Sequence, residues 1–289
     1  MLMGPTGAGK SALALAIAAQ KPTVIINADA MQMVGTLRVL TARPSIVEEA
    51  QAEHALYGLL RPEEPTSVAV WLKLVEPVIR RAWEEGKLPL LVGGTGMYLK
   101  ALMEGLASIP PIPEAVRERL RALDEPTVRA QLEQRDPWMA ARLKPGDSQR
   151  NLRALEVIEA TGISLAEWQQ QETAPLFPEA QYQCFAVDHA REEIYASIDR
   201  RFELMMQNGA LDEVRALMAL HLSPEIPITR AHGVPELMAH LNGTMALADA
   251  IAKAQQNTRN YAKRQMTWLR NQLPDALKVT DAATMLGAL

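Results

Sequence analysis

The stretch Gly4-Pro5-Thr6-Gly7-Ala8-Gly9-Lys10-Ser11 decides the fold of this chain, because it matches the complete pattern G-x-x-x-x-G-K-S. In such a loop, glycines let backbone N–H groups converge on phosphate oxygens without Cβ clashes. Lys10 adds positive charge at the terminal phosphates, and the Ser11 hydroxyl can ligate Mg²⁺. The Ala- and Leu-rich residues 12–20 favour a helix whose N-terminal dipole points at the anion. We therefore predict a phosphate-binding loop; an inert glycine turn is the alternative.

Short apolar runs alternate with helical segments in the rest of the chain. Buried strands are predicted at residues 23–27, 88–92, 183–187 and 276–279, and a helix at residues 68–85 ends before Gly86. Only residues 1–3 precede the loop, so we expect either a very short first strand or the absence here of residues that relatives have. Strand–helix alternation after a phosphate-binding loop predicts an α/β fold, with a P-loop-type parallel sheet core flanked by helices.

A proline-rich segment, Ile109-Pro110-Pro111-Ile112-Pro113, interrupts this alternation. Residues 114–171 read as helical and without strands, and Thr173-Ala174-Pro175-Leu176-Phe177-Pro178 closes the segment before a strand resumes. The pattern predicts an all-helical insertion domain at residues 109–178. The catalytic core then consists of residues 1–108 and 179–289.

Composition excludes several classes of protein. Of the 289 residues, 48% are hydrophobic, which supports a substantial core. The single cysteine, Cys184, excludes a disulfide framework and a cysteine-built zinc site. No secretory signal and no apolar run of about 18 residues is present, so we expect a cytoplasmic protein with no membrane partner. The net charge of −4 means that any nucleic-acid surface must be local.

Ligands of parallel α/β sheets bind beyond the carboxyl ends of the strands, which directs attention to the residues that follow each strand. Asp29 follows residues 23–27, and three roles compete for it: a Mg²⁺ ligand, a general base, or a helix N-cap. Thr95 stands among three glycines in Gly93-Gly94-Thr95-Gly96, where it could cap a helix or meet a ligand at close range.

Two basic stretches are candidates for RNA binding. Between Asp249 and Asp275 there is no acidic residue, whereas five basic residues occur there: Lys253, Arg259, Lys263, Arg264 and Arg270. The second stretch, Gln149-Arg150-Asn151-Leu152-Arg153, lies in the insertion and places two arginines one helical turn apart. A solvated helix face is the alternative for both.

Five motifs together resemble the bacterial tRNA dimethylallyltransferase (tRNA isopentenyltransferase) family. They occur in the expected order and span Gly4 to about Arg270: the loop quoted above, Asp29-Ala30-Met31-Gln32, Leu91-Val92-Gly93-Gly94-Thr95-Gly96-Met97-Tyr98, Arg153-Ala154-Leu155-Glu156-Val157, and Ala262-Lys263-Arg264-Gln265-Met266-Thr267-Trp268-Leu269-Arg270. The sequence departs from the family at Ala30, where serine is usual, and at Val34-Gly35, where a tyrosine–arginine pair is usual.

The resemblance implies a reaction and its partners. A dimethylallyl group would pass from its diphosphate to N6 of the adenosine on the 3′ side of the anticodon, in tRNAs that read codons beginning with U. It also implies Mg²⁺ as cofactor and a helical insertion that grips the tRNA anticodon stem-loop. We expect the protein to be a monomer.

The resemblance also implies roles for individual residues. Residues 4–11 would hold the donor diphosphate, with Thr6 and Lys10 touching it and Ser11 on the metal. Asp29 would be the general base, Thr95 its partner at the reacting amine and bridging oxygen, and Arg201 the stabiliser of the departing diphosphate. The segments implied to contact tRNA are Asp29, Ala30, Met31 and Gln32, Arg117, and Gln149 to Arg153. Thr95 would meet the tRNA at the reacting amine. From the acid-free stretch we also expect Lys263 and Arg264 to contact tRNA.

Other functions stay open at this point. An adenylate dimethylallyltransferase acting on free AMP, ADP or ATP has a nearly identical phosphate-binding loop, and a P-loop kinase of a small metabolite shares the loop and the sheet. A non-catalytic RNA-binding descendant is a third class, against which the intact Lys10, Asp29 and Thr95 argue. The helical insertion and the basic C-terminal segment favour tRNA, because a free nucleotide needs neither.

Overall fold

Six parallel strands form the central sheet of this computed structural model, which describes residues 1–171 and 173–289. The strands are β1 (Leu2–Met3), β2 (Thr23–Asn27), β3 (Glu53–Ala55), β4 (Leu88–Gly93), β5 (Phe185–Val187) and β6 (Leu277–Val279). Their order is β3-β2-β4-β1-β5-β6, and every pairing is parallel. The predicted α/β fold with a parallel sheet is confirmed.

Helices connect the strands and form the insertion. They are α1 (Lys10–Ala18), α2 (Ile46–Glu49), α3 (Val68–Glu84), α4 (Gly96–Glu104), α5 (Glu114–Arg121), α6 (Glu125–Arg135), α7 (Pro137–Arg142), α8 (Ser148–Thr161), α9 (Leu165–Trp168), α10 (Arg191–Gln207), α11 (Ala210–Ala219), α12 (Val234–Leu241), α13 (Leu247–Gln272) and α14 (Ala282–Ala288). Two 3-10 helices, Met31–Met33 and Pro227–Arg230, lie between them.

The chain divides into two compact units. One consists of Met1–Met103 with Glu179–Leu289 and contains the whole sheet, and the other is Glu104–Pro178. The second unit contains α5 to α9, and its core includes Leu120, Leu132 and Leu155. The range predicted for the insertion, 109–178, lies within this unit.

The strand β1 is short but central. Leu2 pairs with Val92 of β4 on one side and with Phe185 of β5 on the other, and Leu2 is fully buried. The loop of residues 4–9 therefore begins between the carboxyl ends of two neighbouring strands. The sheet also contains β3, which the sequence did not predict, because a three-residue edge strand of mixed polarity carries no apolar run.

At the carboxyl end of β4, the backbone approaches the next strand more closely than a side chain would allow. The Ala28 N–H donates to the Val92 carbonyl at 2.8 Å, and the Thr95 N–H donates to the Ala28 carbonyl at 3.2 Å. A Cβ atom on Gly93 would lie 2.1 Å from the Ala28 carbonyl oxygen. Only glycine therefore fits at position 93 without moving this backbone.

The substitution Gly93→Ala tests the close approach. We expect it to lower the free energy of unfolding by at least about 2 kcal/mol, because the added methyl group overpacks against backbone atoms. Gly287→Ala in α14 is the control, since nothing lies within 4 Å of its Cβ position. Thermal and urea unfolding measure both variants, and equal stability of the two would contradict the packing described.

Candidate active site

The loop between β1 and α1 has the glycine conformations and the lysine expected of a phosphate-binding loop. Gly7 and Gly9 adopt φ values of 84° and 81°, which glycine reaches without strain. The Lys10 ammonium donates to the carbonyl oxygens of Gly4 and Pro5, both at 2.9 Å, and so lies back along the loop. Because α1 begins at Lys10, its first N–H groups and its dipole add to the positive potential.

Asp29 is held at the end of β2 by its neighbours. The buried Asn27 side chain accepts from the Asp29 N–H at 2.8 Å and donates to the Asp29 carbonyl at 3.0 Å. The Asp29 Oδ1 atom accepts from the Met31 N–H at 3.0 Å, at the start of the 3-10 helix Met31–Met33. Asp29 thus has a cap-like contact, but this contact uses one carboxylate oxygen and leaves Oδ2 for another role.

Thr95 lies directly beside the Asp29 loop. Its Oγ1 atom accepts from the Ala30 N–H at 3.2 Å, while its own N–H donates to Ala28. Because the hydroxyl accepts in this contact, its proton is free to be donated to a ligand. The carboxyl ends of β2 and β4 therefore bring an acid and a hydroxyl donor together.

Arg201 of α10 adds a second cation next to the phosphate-binding loop. Its Nη2 atom donates to Thr6 Oγ1. Burial lowers the pKa of Arg201, and the nearby Asp29 carboxylate opposes that shift. Burial likewise lowers the pKa of Lys10 to about 8, with Asp29 opposing it and Arg201 adding to it. Two cations and one carboxylate thus interact across the site.

Side chains of helix α13 line two cavities at the site. A cavity of about 220 Å³ lies between the loop of residues 93–97 and the α13 side chains Tyr261 and Trp268. A second cavity of about 160 Å³ is lined by Asp29, Thr6 and Arg201, together with His232 of the segment before α12. Thr95 lines the first cavity and Asp29 the second.

Comparisons with known proteins agree on the family. A family model described as IPP transferase matches residues 32–272. The chain belongs to the IPP transferase family. It is 50% identical over 280 residues to a tRNA dimethylallyltransferase of Rhodospirillum centenum, covering 96% of this chain and 89% of that protein. It is also 50% identical over 284 residues to a tRNA dimethylallyltransferase of Azorhizobium caulinodans, covering 97% and 91%.

Solved structures show the same fold. A tRNA isopentenylpyrophosphate transferase from Bacillus halodurans superposes with a TM-score of 0.69 at 30% identity, covering 96% of this chain and 88% of that chain. A eukaryotic dimethylallyltransferase acting on tRNA superposes with a TM-score of 0.82, covering 98% and 74%. The second is 24% identical and so bears on the fold alone.

The residues that the IPP transferase resemblance assigned to chemistry lie in one place. Lys10, Asp29, Thr95 and Arg201 are linked through the loop contacts and charges described above. Gln32, assigned to tRNA, donates instead to the carbonyls of Thr41 and Ala42, at 2.9 and 3.0 Å, so its amide N–H groups are already used. Roles of these residues in the reaction stay predictions.

The predicted tRNA-binding residues of the second unit have different surroundings. Asn151 is buried, and its amide donates to the carbonyls of Lys144 and Pro145, which orders the turn before α8. Leu152 packs against the core of that unit. Gln149 and Arg150 are exposed. Each of the three arginines has an acidic partner: Arg150 pairs with Asp147, Arg153 with Glu156, and Arg117 with Glu114. Of the five-residue stretch, Gln149 and Arg150 are the most accessible to a ligand.

The basic stretch of α13 also contains both a residue used in packing and residues that are accessible. Arg259 pairs with Asp199 of α10, so it belongs to a helix–helix contact. Lys263 and Arg264 are exposed and have no acidic partner in residues 1–171 or 173–289, and Arg264 stacks on the Tyr261 ring at 5.5 Å. These two side chains remain candidates for RNA phosphates.

Sequence reasoning missed Gln265, Tyr261 and His232. Gln265 is buried in α13 and bonds to the phosphate-binding loop, and the His232 and Tyr261 rings lie 4.7 Å apart. The sequence places Ala250, Ala254 and Ala262 at helical spacing, but nothing in it marks Gln265 as the residue that bonds to the phosphate-binding loop.

The lowered pKa of Lys10 makes a testable prediction about anion binding. The charged ammonium attracts pyrophosphate, so its contribution is largest below pH 8 and declines as the pH rises through the Lys10 pKa of about 8. We expect the affinity for inorganic pyrophosphate, relative to that of Lys10→Met, to fall up to roughly tenfold between about pH 7 and about pH 9. Calorimetric titration of both proteins measures it, and a constant ratio would contradict the assignment.

Proposed function

We propose that this protein transfers a dimethylallyl group from dimethylallyl diphosphate to N6 of the adenosine next to the anticodon, on its 3′ side, in tRNAs that read codons beginning with U. The coarser statement, that it is a tRNA dimethylallyltransferase, rests on relatives 50% identical over nearly the whole chain. The position of the adenosine and the set of tRNAs are what the resemblance to this family implies. The chemistry of the site supports the reaction type, which is transfer from a diphosphate to an amine.

The observation that carries the proposal is the junction of the Asp29 and Thr95 loops beside the phosphate-binding loop. The Ala30 N–H to Thr95 Oγ1 hydrogen bond joins the two loops at the carboxyl edge of the sheet. Lys10 and Arg201 lie on the adjoining loop and helix, and both interact electrostatically with Asp29. The site therefore combines a proton acceptor for an amine with cations for a diphosphate.

This arrangement suits allylic transfer. The C1–O bond of the donor breaks while a bond forms between C1 and N6 of adenine, and the diphosphate leaves with the electron pair. Lys10, Arg201 and the N–H groups at the start of α1 stabilise the charge that develops on the departing oxygens. Asp29 accepts the proton that N6 loses, and the Thr95 hydroxyl donates towards the bridging oxygen or orients the amine.

Access to N6 requires a change in the RNA. The amine of an adenine stacked in an anticodon loop cannot reach a carboxylate at the edge of a sheet, so the base has to be flipped out. Flipping is easier from a single-stranded loop than from a duplex, because less pairing is lost. The helical unit Glu104–Pro178 is proposed to hold the anticodon stem-loop during this step.

Magnesium is the proposed cofactor. No cluster of three or more His, Cys, Asp or Glu side chains suited to a metal ion is found in the parts of the chain that the structure describes. The exposed Ser11 hydroxyl follows Lys10 at the start of α1, and this single donor fits an ion whose other ligands are diphosphate oxygens and water. When bound, the ion would neutralise charge on the leaving group.

Two further expectations belong to the proposal. The protein is proposed to act as a monomer, in the cytoplasm where tRNA is found. Among the described residues, no helix is long and apolar enough to cross a membrane.

Free adenylate is the alternative acceptor, and the first experiment separates it from tRNA. With labelled dimethylallyl diphosphate, we expect transfer to tRNA and none to AMP, because a free nucleotide needs neither the helical unit nor the exposed cations of α13. Equal or better labelling of AMP would contradict the tRNA assignment. ATP-dependent phosphorylation of a metabolite without prenyl transfer would indicate a kinase.

The substitution Asp29→Asn distinguishes a role of Asp29 as general base from a role as helix cap. The asparagine amide oxygen can still accept from the Met31 N–H, so stability should change little, but it cannot take a proton. We expect kcat to fall on the order of 10²–10⁴-fold. Single-turnover kinetics and a melting curve measure the two effects; full activity of this variant would mean that Asp29 is only a cap.

Lys263→Ala combined with Arg264→Ala tests the RNA surface of α13. Contacts to RNA phosphates release counterions, so we expect weaker tRNA binding and a slope of log K against log salt reduced by about 1–2. Lys253→Ala, an exposed lysine near the start of the same helix, is the control. If the double variant and the control show the same salt dependence of tRNA binding, Lys263 and Arg264 lie on a solvated face.

A further inference from the structure

The Gln265 side chain joins the phosphate-binding loop to the loop that carries Thr95. Its Oε1 atom accepts from the Thr6 N–H at 2.8 Å, and its Nε2 atom donates to the Gly94 carbonyl at 3.1 Å. The residue is 7% exposed. One buried amide thus makes both contacts, one through its oxygen and one through its nitrogen.

Both partners of Gln265 lead directly to groups at the reaction centre. Thr6 accepts through Oγ1 from Arg201 and is bound through its N–H by Gln265, so its position is determined from two sides. Gly94 precedes Thr95, whose hydroxyl accepts from Ala30 beside Asp29. A shift of Gln265 would therefore change the distance between the residues proposed to bind the diphosphate and those proposed to act on the amine.

The geometry at Gly94 allows little adjustment. A Cβ atom on Gly94 would lie 2.1 Å from Gln265 Nε2. The amide therefore packs directly against the backbone of the loop, at a site where any side chain would displace it. Gly96, in the same loop, is in similar contact with the Trp268 ring of α13, at 2.4 Å from its Cβ position.

We propose that Gln265 is a positioning residue for the transfer reaction, which sets the separation between the phosphate-binding loop and Thr95. This inference rests on the proposed function. Gln265 contacts neither substrate in this role and acts through the Thr6 N–H and the Gly94 carbonyl. Misplacement of reacting groups by about 1 Å can lower a rate on the order of 10²-fold without loss of binding.

Only an amide or a neutral carboxylic acid can satisfy both partners. A carboxylate can accept from the Thr6 N–H, but it has no proton to donate to the Gly94 carbonyl. A thioether has no donor for Gly94 and is only a weak acceptor for Thr6. The variants Gln265→Glu and Gln265→Met are thus close in size and differ in hydrogen bonding. Gln256→Glu is the matched control, because Gln256 is exposed on the same helix and bonds to Asn260 and Arg259.

The experiment measures single-turnover transfer to tRNA at saturating donor and tRNA, with dissociation constants for inorganic pyrophosphate and tRNA and a melting curve. For Gln265→Glu near neutral pH we expect a rate loss on the order of 10²-fold with both dissociation constants within about threefold of wild type. The control should retain the wild-type rate.

Lowering the pH supplies a rescue. The carboxyl group introduced by Gln265→Glu is buried, so its pKa should be raised, and its protonated form can donate to Gly94. The rate of Gln265→Glu relative to wild type should therefore rise as the pH falls, whereas the relative rate of Gln265→Met should stay low and flat. Dividing by the wild-type rate at each pH removes the pH dependence that the two proteins share.

Three outcomes would overturn the inference. An active wild type with an unchanged rate for Gln265→Glu and Gln265→Met removes the positioning role and leaves the function intact. A loss confined to pyrophosphate affinity, with a normal rate at saturation, makes Gln265 a binding residue. A wild-type protein that transfers no dimethylallyl group to tRNA overturns the proposed function and this inference with it.

Discussion

The close approach of Gly93 to the Ala28 backbone is the constraint on which the rest of the site depends. Ala28 donates to Val92 and accepts from Thr95, so the ends of β2 and β4 are joined by backbone hydrogen bonds. A side chain at position 93 would separate them. On its other side β4 pairs with β1, from which the phosphate-binding loop departs. Asp29, Thr95 and the loop are neighbours because these three parallel strands end together.

Charge is concentrated at this junction. Lys10 and Arg201 are desolvated, and their pKa values are lowered as a consequence, with Asp29 as the acid that opposes the shift. Charges in such surroundings interact more strongly than in water, so a diphosphate would be bound firmly and its developing charge stabilised. Under the proposed function, this one cluster would serve both ends of a transfer between an allylic diphosphate and an amine, with Asp29 as the proton acceptor.

The elements that were predicted from the sequence are those that depend on a continuous run of residues. The phosphate-binding loop, β2, β4 and the helical segment were all predictable, because each depends on a continuous run of residues. The strand β3 and the inward face of α13 were not, since an edge strand of three residues and a buried glutamine gain their meaning from distant partners. The five basic residues between Asp249 and Asp275 were predicted as one candidate stretch for RNA binding, yet Arg259 pairs with Asp199, which only the packing of α10 on α13 reveals. For Asp29 the competing roles proved compatible, because two carboxylate oxygens allow a cap-like contact and a free acceptor.

The most direct test of this account is an experimental structure of the protein with an anticodon stem-loop RNA and an unreactive thio analogue of dimethylallyl diphosphate. We expect the flipped adenine N6 within about 3 Å of Asp29, as hydrogen bonding requires, and the diphosphate on Lys10 and Arg201. N6 bonded to a different group, or a diphosphate away from residues 4–11, would contradict it.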